Sequence, residues 1–309
     1  MKLSVVATLY HSADYVDEFC RRATAVARAR VGDSYEIVLV NDGSPDASLE
    51  IAIRLAETDP RVVVVDLSRN FGHHKAMMTG LAHAHGDHVF LIDSDLEEEP
   101  EWLAPFWALL DSERCDVVYG VQARRKGGWF ERWSGRAYYD LLDAISGVHM
   151  PRNMVTARLM SRRYVDALLR HEEREVDIGG LWAITGFEQR PLLVTKHHSS
   201  ETTYTLHRRL AVLVNAITSF SNLPLVGIFY VGIGMLAVSM VYTGYVVVRW
   251  FFLSHPVDGW TSLIVSVWLL GAMIISFIGI IGIYLAKMFS EVKRRPYTIV
   301  RGIHGRSPR

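Results

Sequence analysis

The chain has 309 residues, enough for one large domain or two smaller ones, and its 33 basic residues balance its 33 acidic ones. That balance argues against an acidic tail or a nucleic-acid-binding surface, so no nucleic-acid partner is expected. Cys20 and Cys115 are too few and too far apart for a disulfide framework or a thiolate metal site, which fits a reducing cytosol.

From the N-terminus, the apolar run after Lys2 is too short and too strand-like for a secretion signal, so none is expected. Over the first 120 residues strand and helix patterns alternate. Strands are predicted at 3–9, 35–41, 62–66 and 89–93, with a short one at 116–119. Helices are predicted at 14–30, 48–58, 75–85 and 102–110. Such alternation argues for an α/β fold with a doubly wound, mostly parallel sheet, whose ligands bind beyond the carboxyl ends of the strands. From 120 to 180 the pattern is less regular. Arg124-Arg125-Lys126-Gly127-Gly128 reads as a basic loop, 131–146 as an amphipathic helix and 162–170 as another helix. Residues 206–220 set basic residues ahead of an apolar stripe, the pattern of an interfacial helix or equally of a domain-packing one.

Two apolar runs follow, 223–248 and 260–288, each above the roughly 20 residues a bilayer-spanning helix needs. The link between them is short, so they form a hairpin; the alternative is a buried helix pair of a soluble protein. Arg208 and Arg209 precede the hairpin and Lys293, Arg294 and Arg295 follow it, which places both flanks in the cytoplasm, with Arg249 a counter-signal. The expected division is an α/β domain over 1–205, an interfacial helix over 206–222, two transmembrane helices over 223–289 and a tail over 290–309. The α/β domain and the tail would lie on the cytosolic side of the cytoplasmic (inner) membrane.

The chemistry concentrates where an apolar run over 89–92 ends in Asp93-Ser94-Asp95. Residues i and i+2 of an extended chain point the same way, so both carboxylates can converge on one target. Two hard oxygen ligands beyond a strand end suit Mg²⁺ or Mn²⁺ holding a diphosphate. An isolated D-x-D is more often a solvated turn, but a second strand ends in Asn41-Asp42-Gly43-Ser44-Pro45-Asp46. There Gly43 permits a positive φ and Asp42 can accept hydrogen bonds from a base or ribose. The 13 histidines lack zinc spacing. His83 and His85 fall on different helix faces, and His171-Glu172-Glu173-Arg174-Glu175 has no second histidine. The pairs His73-His74 and His197-His198 are better placed for phosphate or sugar contacts.

Taken together these motifs resemble the family 2 glycosyltransferases, which have a GT-A fold. Leu67-Ser68-Arg69-Asn70-Phe71-Gly72, then Lys75 and Gly80-Leu81, are similar to the subgroup that moves a sugar from a nucleotide to polyprenyl phosphate. So are residues 116–121, Arg158-Leu159-Met160-Ser161-Arg162-Arg163, Ser219-Phe220-Ser221-Asn222-Leu223-Pro224 and Glu291-Val292-Lys293-Arg294-Arg295-Pro296-Tyr297. That subgroup contains bactoprenol glucosyltransferases and dolichol-phosphate mannose synthases.

The resemblance implies an inverting, metal-dependent transferase using a UDP-linked sugar, polyprenyl (undecaprenyl) phosphate as acceptor, and Mg²⁺ or Mn²⁺. The product would be a lipid-linked sugar for cell-envelope glycans such as the O-antigen of lipopolysaccharide. Thr8, Tyr10, Asp42, Ser68, Asn70, Gly72, Lys75, Asp93 and Ser94 would line the nucleotide-sugar site. Asp95 would be the principal metal ligand, with Asp93 and Glu97. Asp93, Asp95 and Arg158 would carry catalysis, and Arg124, Arg125, Lys126 and Arg158 would hold the lipid phosphate. Self-association is expected through small residues, Gly227, Gly232, Gly234, Gly279 and Gly282.

Several positions depart from the family pattern. Thr156 stands where relatives carry an aspartate, and Glu97-Glu98 where Gln-Asp is usual. Thr8-Leu9-Tyr10-His11 replaces a Pro-x-Tyr-Asn-Glu opening, and residues 197–204 replace an Arg-x-x-Gly pattern. An unusual donor sugar is expected. The alternatives are a processive polysaccharide synthase, whose Gln-x-x-Arg-Trp motif and extra spans are missing, and a non-catalytic scaffold or flippase partner.

Overall fold

The computed structural model describes residues 1–122, 153–173, 178–196, 223–252 and 259–305. Eight strands form one sheet: β1 (Leu3–Leu9), β2 (Tyr35–Asn41), β3 (Val62–Leu67), β4 (His88–Leu91), β5 (Val117–Gln122), β6 (Met154–Ser161), β7 (Gln189–Val194) and β8 (Val300–His304). The helices among the described residues are α1 (Val16–Val31), α2 (Ser48–Thr58), α3 (His73–His83), α4 (Leu103–Glu113), α5 (Arg162–Leu168), α6 (Ile178–Ile184), α7 (Leu223–Phe252) and α8 (Trp260–Val292).

The sheet runs β7-β5-β6-β4-β1-β2-β3-β8. Its heart, β4-β1-β2-β3, is parallel. Beyond β4 the chain turns antiparallel at β6, and β8 pairs antiparallel on the far edge. The sheet is therefore mixed, parallel where the sequence placed its first four strands.

Every residue of β1, β2 and β3 is buried, because helices cover both faces. Alternate residues feed two separate cores. Val5, Ala7, Leu9, Ile37 and Leu39 join Phe19, Ala23 and Phe106 on one face. Val6, Val38 and Val40 join Met77, Leu81 and Tyr164 on the other. Period-two alternation between two apolar layers is what makes these strands read as continuous Val/Ile/Leu runs. Each such side chain stabilises the fold by about 1.5–3 kcal/mol relative to leaving it in water.

The described residues fall into two compact units, divided at Leu206 and again at Arg294. The sheet unit reclaims the chain's end, since Arg294–Arg309 belongs to it and supplies β8. The second unit holds α7, of 30 residues, and α8, of 33. Both are long and apolar enough to cross a membrane, with their apolar windows unburied. The predicted helix over 131–146 and the interfacial helix over 206–220 lie outside the described residues. Strands β6, β7 and β8 and helix α6 were not foreseen. β6 and β7 lack clean alternation, with Arg158 inside one and Pro191 inside the other, and β8 is a polar edge strand.

Candidate active site

Two loops shape the face above β2 and β3. Asp42 follows β2 directly, and its carboxylate accepts hydrogen bonds from the N–H groups of Phe71 (2.7 Å) and Gly72 (3.0 Å). The loop joining β3 to α3 is thus folded around Asp42, which is 2 % exposed. Burial pushes the Asp42 pKa up, and the two amides only partly offset this. Gly43 has φ +61°, and a Cβ there would lie 2.4 Å from the Asn70 backbone nitrogen, so glycine is demanded both by conformation and by contact. Behind the turn, Asn41 donates to Asp66 at 2.8 Å and accepts from the Ser44 N–H at 3.2 Å.

β4 ends at Leu91, so Asp93-Ser94-Asp95 lies in the loop after the strand, and its three side chains find different surroundings. Ser94 turns inward, its hydroxyl donating to the Thr8 carbonyl at 2.8 Å. Asp93 faces His73, with Oδ1 3.3 Å from Nε2, and the other ring nitrogen of His73 is 3.1 Å from the Thr8 hydroxyl. Burial would raise the Asp93 pKa, but His73, the Thr156 hydroxyl and Lys196 together hold it below the usual carboxylate range. His73 responds in kind: burial opposes its charge, and Asp93, Asp42 and Glu98 outweigh it and raise its pKa. Asp95 is exposed, and its Oδ1 accepts the Glu97 N–H at 3.0 Å. Partial burial and the neighbouring carboxylates of Asp93 and Glu97 raise its pKa.

Below this loop sits a buried polar cluster hinged on Thr156. The Thr156 N–H donates to Glu98 Oε1 at 3.0 Å, and its carbonyl accepts from Arg158 Nε at 3.2 Å. Lys196, just past β7, places its ammonium 3.0 Å from Glu98 Oε1 and 3.7 Å from Glu97 Oε2. Burial, and next the charge of Asp93, push the Glu98 pKa up to about 7. Register sets Arg158 beside Leu91 of β4 and Tyr119 of β5, fully buried, with its guanidinium over the Trp182 ring. Burial lowers its pKa to about 9, which leaves it charged at neutral pH.

Among the described residues, four buried polar atoms here have no hydrogen-bond partner, Glu98 Oε2, Arg158 Nη1 and Nη2, and Trp182 Nε1, and Asp93 Oδ1 has only the 3.3 Å ion-pair contact with His73. Unpaired buried groups cost about 1–3 kcal/mol each, so such a concentration marks a functional site. For a divalent cation the fit is specific. Among the described residues no three His, Cys, Asp or Glu side chains form a ready cage. One or two carboxylates, completed by substrate phosphates and water, is the arrangement Mg²⁺ and Mn²⁺ accept. The exposed Asp95 carboxylate and the Asp93 carboxylate, whose Oδ1 has only His73 beside it, meet that description, with Glu97 alongside.

Of the residues expected at the nucleotide site, Thr8, Asp42, Gly72 and Asp93 come together, and Ser68, Asn70 and Lys75 lie on the same loop and first turn of α3. Tyr10 is exposed at the end of β1, its ring edge-on to His11. Ser94 supports the loop from behind. Arg158, expected to hold the lipid phosphate, is a fully buried cation, and Arg124, Arg125 and Lys126 lie outside the described residues. Sequence reading passed over Lys196 and Trp182 as site residues; it set His73 with His74 among candidates for phosphate or sugar contacts and noted Thr156 as a departure from the family's aspartate, without foreseeing their bonds to Asp93 and Glu98.

Comparison with known proteins gives the family. Residues 4–169 match glycosyl transferase family 2, and the chain belongs to that family. It has the GT-A type of fold, and its class is that of a glycosyltransferase enzyme. It is similar to a Mycobacterium tuberculosis protein described as a glycosyltransferase, 50 % identical over 99 % of this chain and 89 % of that one. The uncharacterized glycosyltransferase YkcC of Bacillus subtilis is 32 % identical over 99 % and 95 %. The bactoprenol glucosyl transferase of Shigella phage SfII is 29 % identical over the full length of both. The solved structure of S. aureus TarS with UDP-GlcNAc, 18 % identical over 71 % of this chain and 66 % of that one at a TM-score of 0.47, is too distant to add to this.

Proposed function

We propose that this chain transfers a sugar from a UDP-linked donor to polyprenyl phosphate at the cytoplasmic membrane, with inversion at the anomeric carbon. The observation that carries the reading is the meeting of Thr8, His73 and Asp93 just past the carboxyl end of β4, two residues from the exposed Asp95 carboxylate and beside the loop wrapped on Asp42. Full-length similarity to a bactoprenol glucosyl transferase supports the acceptor. The two long apolar helices support the location.

Asp95 and Asp93, with Glu97 beside them, would hold Mg²⁺ or Mn²⁺. When bound, such an ion supplies positive charge against the departing diphosphate. His73 fixes the Asp93 carboxylate and ties it to Thr8, so the end of β1 and the loop after β4 keep one geometry. A phosphate monoester acceptor has its second pKa near 6 and is largely a dianion at neutral pH, so it needs no protein base. Direct attack opposite the leaving diphosphate inverts the anomeric carbon. Full burial of Arg158 argues against its touching the lipid phosphate directly, and Arg124, Arg125 and Lys126 are our candidates for that contact. Glu98 and Arg158 are buried too deeply to touch the sugar either, and act on the site through Thr156, which bonds both of them and the Asp93 carboxylate.

Oligomer formation is part of the reading. A Cβ at Gly227, Gly232, Gly234, Gly279 or Gly282 would meet nothing within 4 Å, leaving the open backbone that close helix approach uses. The deciding experiment is transfer of label from a panel of UDP- and GDP-sugars to undecaprenyl phosphate in detergent with Mn²⁺ or Mg²⁺. Label should enter the lipid fraction from a UDP-sugar and vanish on chelation. No transfer from any donor would favour a non-catalytic scaffold.

A further inference from the structure

We infer that the C-terminal segment 298–305 is a positioning element of the donor site. The inference rests on the proposed reading of loops 42–46 and 68–72 as the place where the donor nucleotide binds. Residues 293–299 alone separate the end of α8 from β8. The returning chain then holds the 68–72 loop at its first residue and the strand and helix on either side of it. The Ser68 N–H donates to the Ile299 carbonyl at 2.9 Å, fixing the first residue of the loop whose Phe71 and Gly72 amides hold Asp42. Arg301 makes a two-point pair with Asp66, Nε to Oδ2 at 2.7 Å and Nη2 to Oδ1 at 3.1 Å. Asp66 Oδ1 also accepts from Asn41, the residue before Asp42. A line Arg301–Asp66–Asn41 therefore runs from the edge strand to the turn at Gly43. The Thr298 and Thr79 hydroxyls meet at 2.8 Å, tying the segment to α3, whose first residue His73 contacts Asp93.

The docking is close as well as polar. Gly305 has φ +84°, and a Cβ there would fall 2.1 Å from the Val62 carbonyl oxygen, so the strand's end seats against the start of β3 only as glycine. Tyr297 and Val300 pack on the same core as Phe71. An edge strand needed only for stability would pair with β3 and stop. Here one contact holds the start of the 68–72 loop, a line through Asp66 and Asn41 leads to the 42–46 loop, and Thr298 meets α3, the helix that follows the 68–72 loop.

The test uses the full chain in detergent and the double variant Thr298→Val/Arg301→Gln. Amide hydrogen exchange at Ser68, Phe71 and Gly72 and the Kd for UDP with Mn²⁺ are measured in parallel. Exchange should quicken by roughly tenfold and the Kd should rise by about fivefold or more, with kcat at saturating donor within about twofold of wild type. Arg301→Lys should recover part of the affinity, which loss of bulk stability alone would not produce. Unchanged exchange at all three amides overturns the inference. Faster exchange with unchanged UDP affinity overturns the link to donor binding. If the wild type binds neither UDP nor GDP while exchange still responds, the donor-site reading fails and the mechanical coupling stands.

Discussion

Asp95→Asn keeps the shape of the most exposed carboxylate in the site and removes its charge. Transfer should fall by at least about a hundredfold, with the melting temperature within about 2 °C, since an exposed side chain contributes little to stability. Activity near wild type would remove Asp95 from the chemistry. Glu98 makes a pH prediction. Its pKa stands at about 7 in the folded chain against 4.5 for the free side chain. Between those values the folded form holds a proton that the unfolded form has lost, so its contribution to stability declines as pH rises from 4.5 to 7 and is level above. Thermal melts in EDTA should show wild type losing ground to Glu98→Gln across that window. Parallel curves would mean that Glu98 is ionised throughout. Arg158→Met replaces a buried, partly unpaired cation with an apolar chain of similar length. Removing the charge removes its desolvation cost, against the loss of one hydrogen bond to the Thr156 carbonyl, so the variant should melt no lower than wild type while transfer drops by about tenfold or more. A lower melting point with intact transfer would make Arg158 structural.

At the scale of elements, the parallel strands β1 to β4 were legible because both their faces are apolar, and α1 to α3 because helical spacing survives beside them. The ends shifted by a few residues. β4 closes at Leu91, which moves Asp93 and Asp95 off the strand, so the period-two argument placed the carboxylates correctly in the chain but not in space. Asp93 is drawn under by His73 and Thr156, while Asp95 stays out. The β2–α2 turn gives a sharp test of the loop wrapped on Asp42. Gly43→Ala puts a Cβ into the Asn70 backbone at a positive φ, and should cost about 1–3 kcal/mol together with a rise in the donor KM. Denaturant titration and donor-dependent kinetics measure the two effects. A variant matching wild type in both would show the loops to be adaptable.

For the whole molecule, the two units present different surfaces. The sheet unit hides its apolar residues in two cores, whereas α7 and α8 leave theirs outward, including Val238, Ile275 and Ile278. In water such a surface is an aggregation hazard; in lipid it is the required one. The full chain should remain with the membrane fraction through carbonate washing and be released by detergent. Release by carbonate alone would show that the helices do not span.

The amino-acid sequence by itself determined the class of fold, the pair of apolar helices and the D-x-D and N-D-G-S turns, because these depend on period, length and local turn chemistry. Only the tertiary structure decided that Thr156 joins Glu98, Asp93 and Arg158, that Lys196 reaches back to the acidic loop, and that residues 300–304 close the sheet beside β3 and the 68–72 loop. Those contacts join residues tens to hundreds of positions apart. No local pattern records them, since the side chains involved are paired by strand register and burial and not by spacing along the chain.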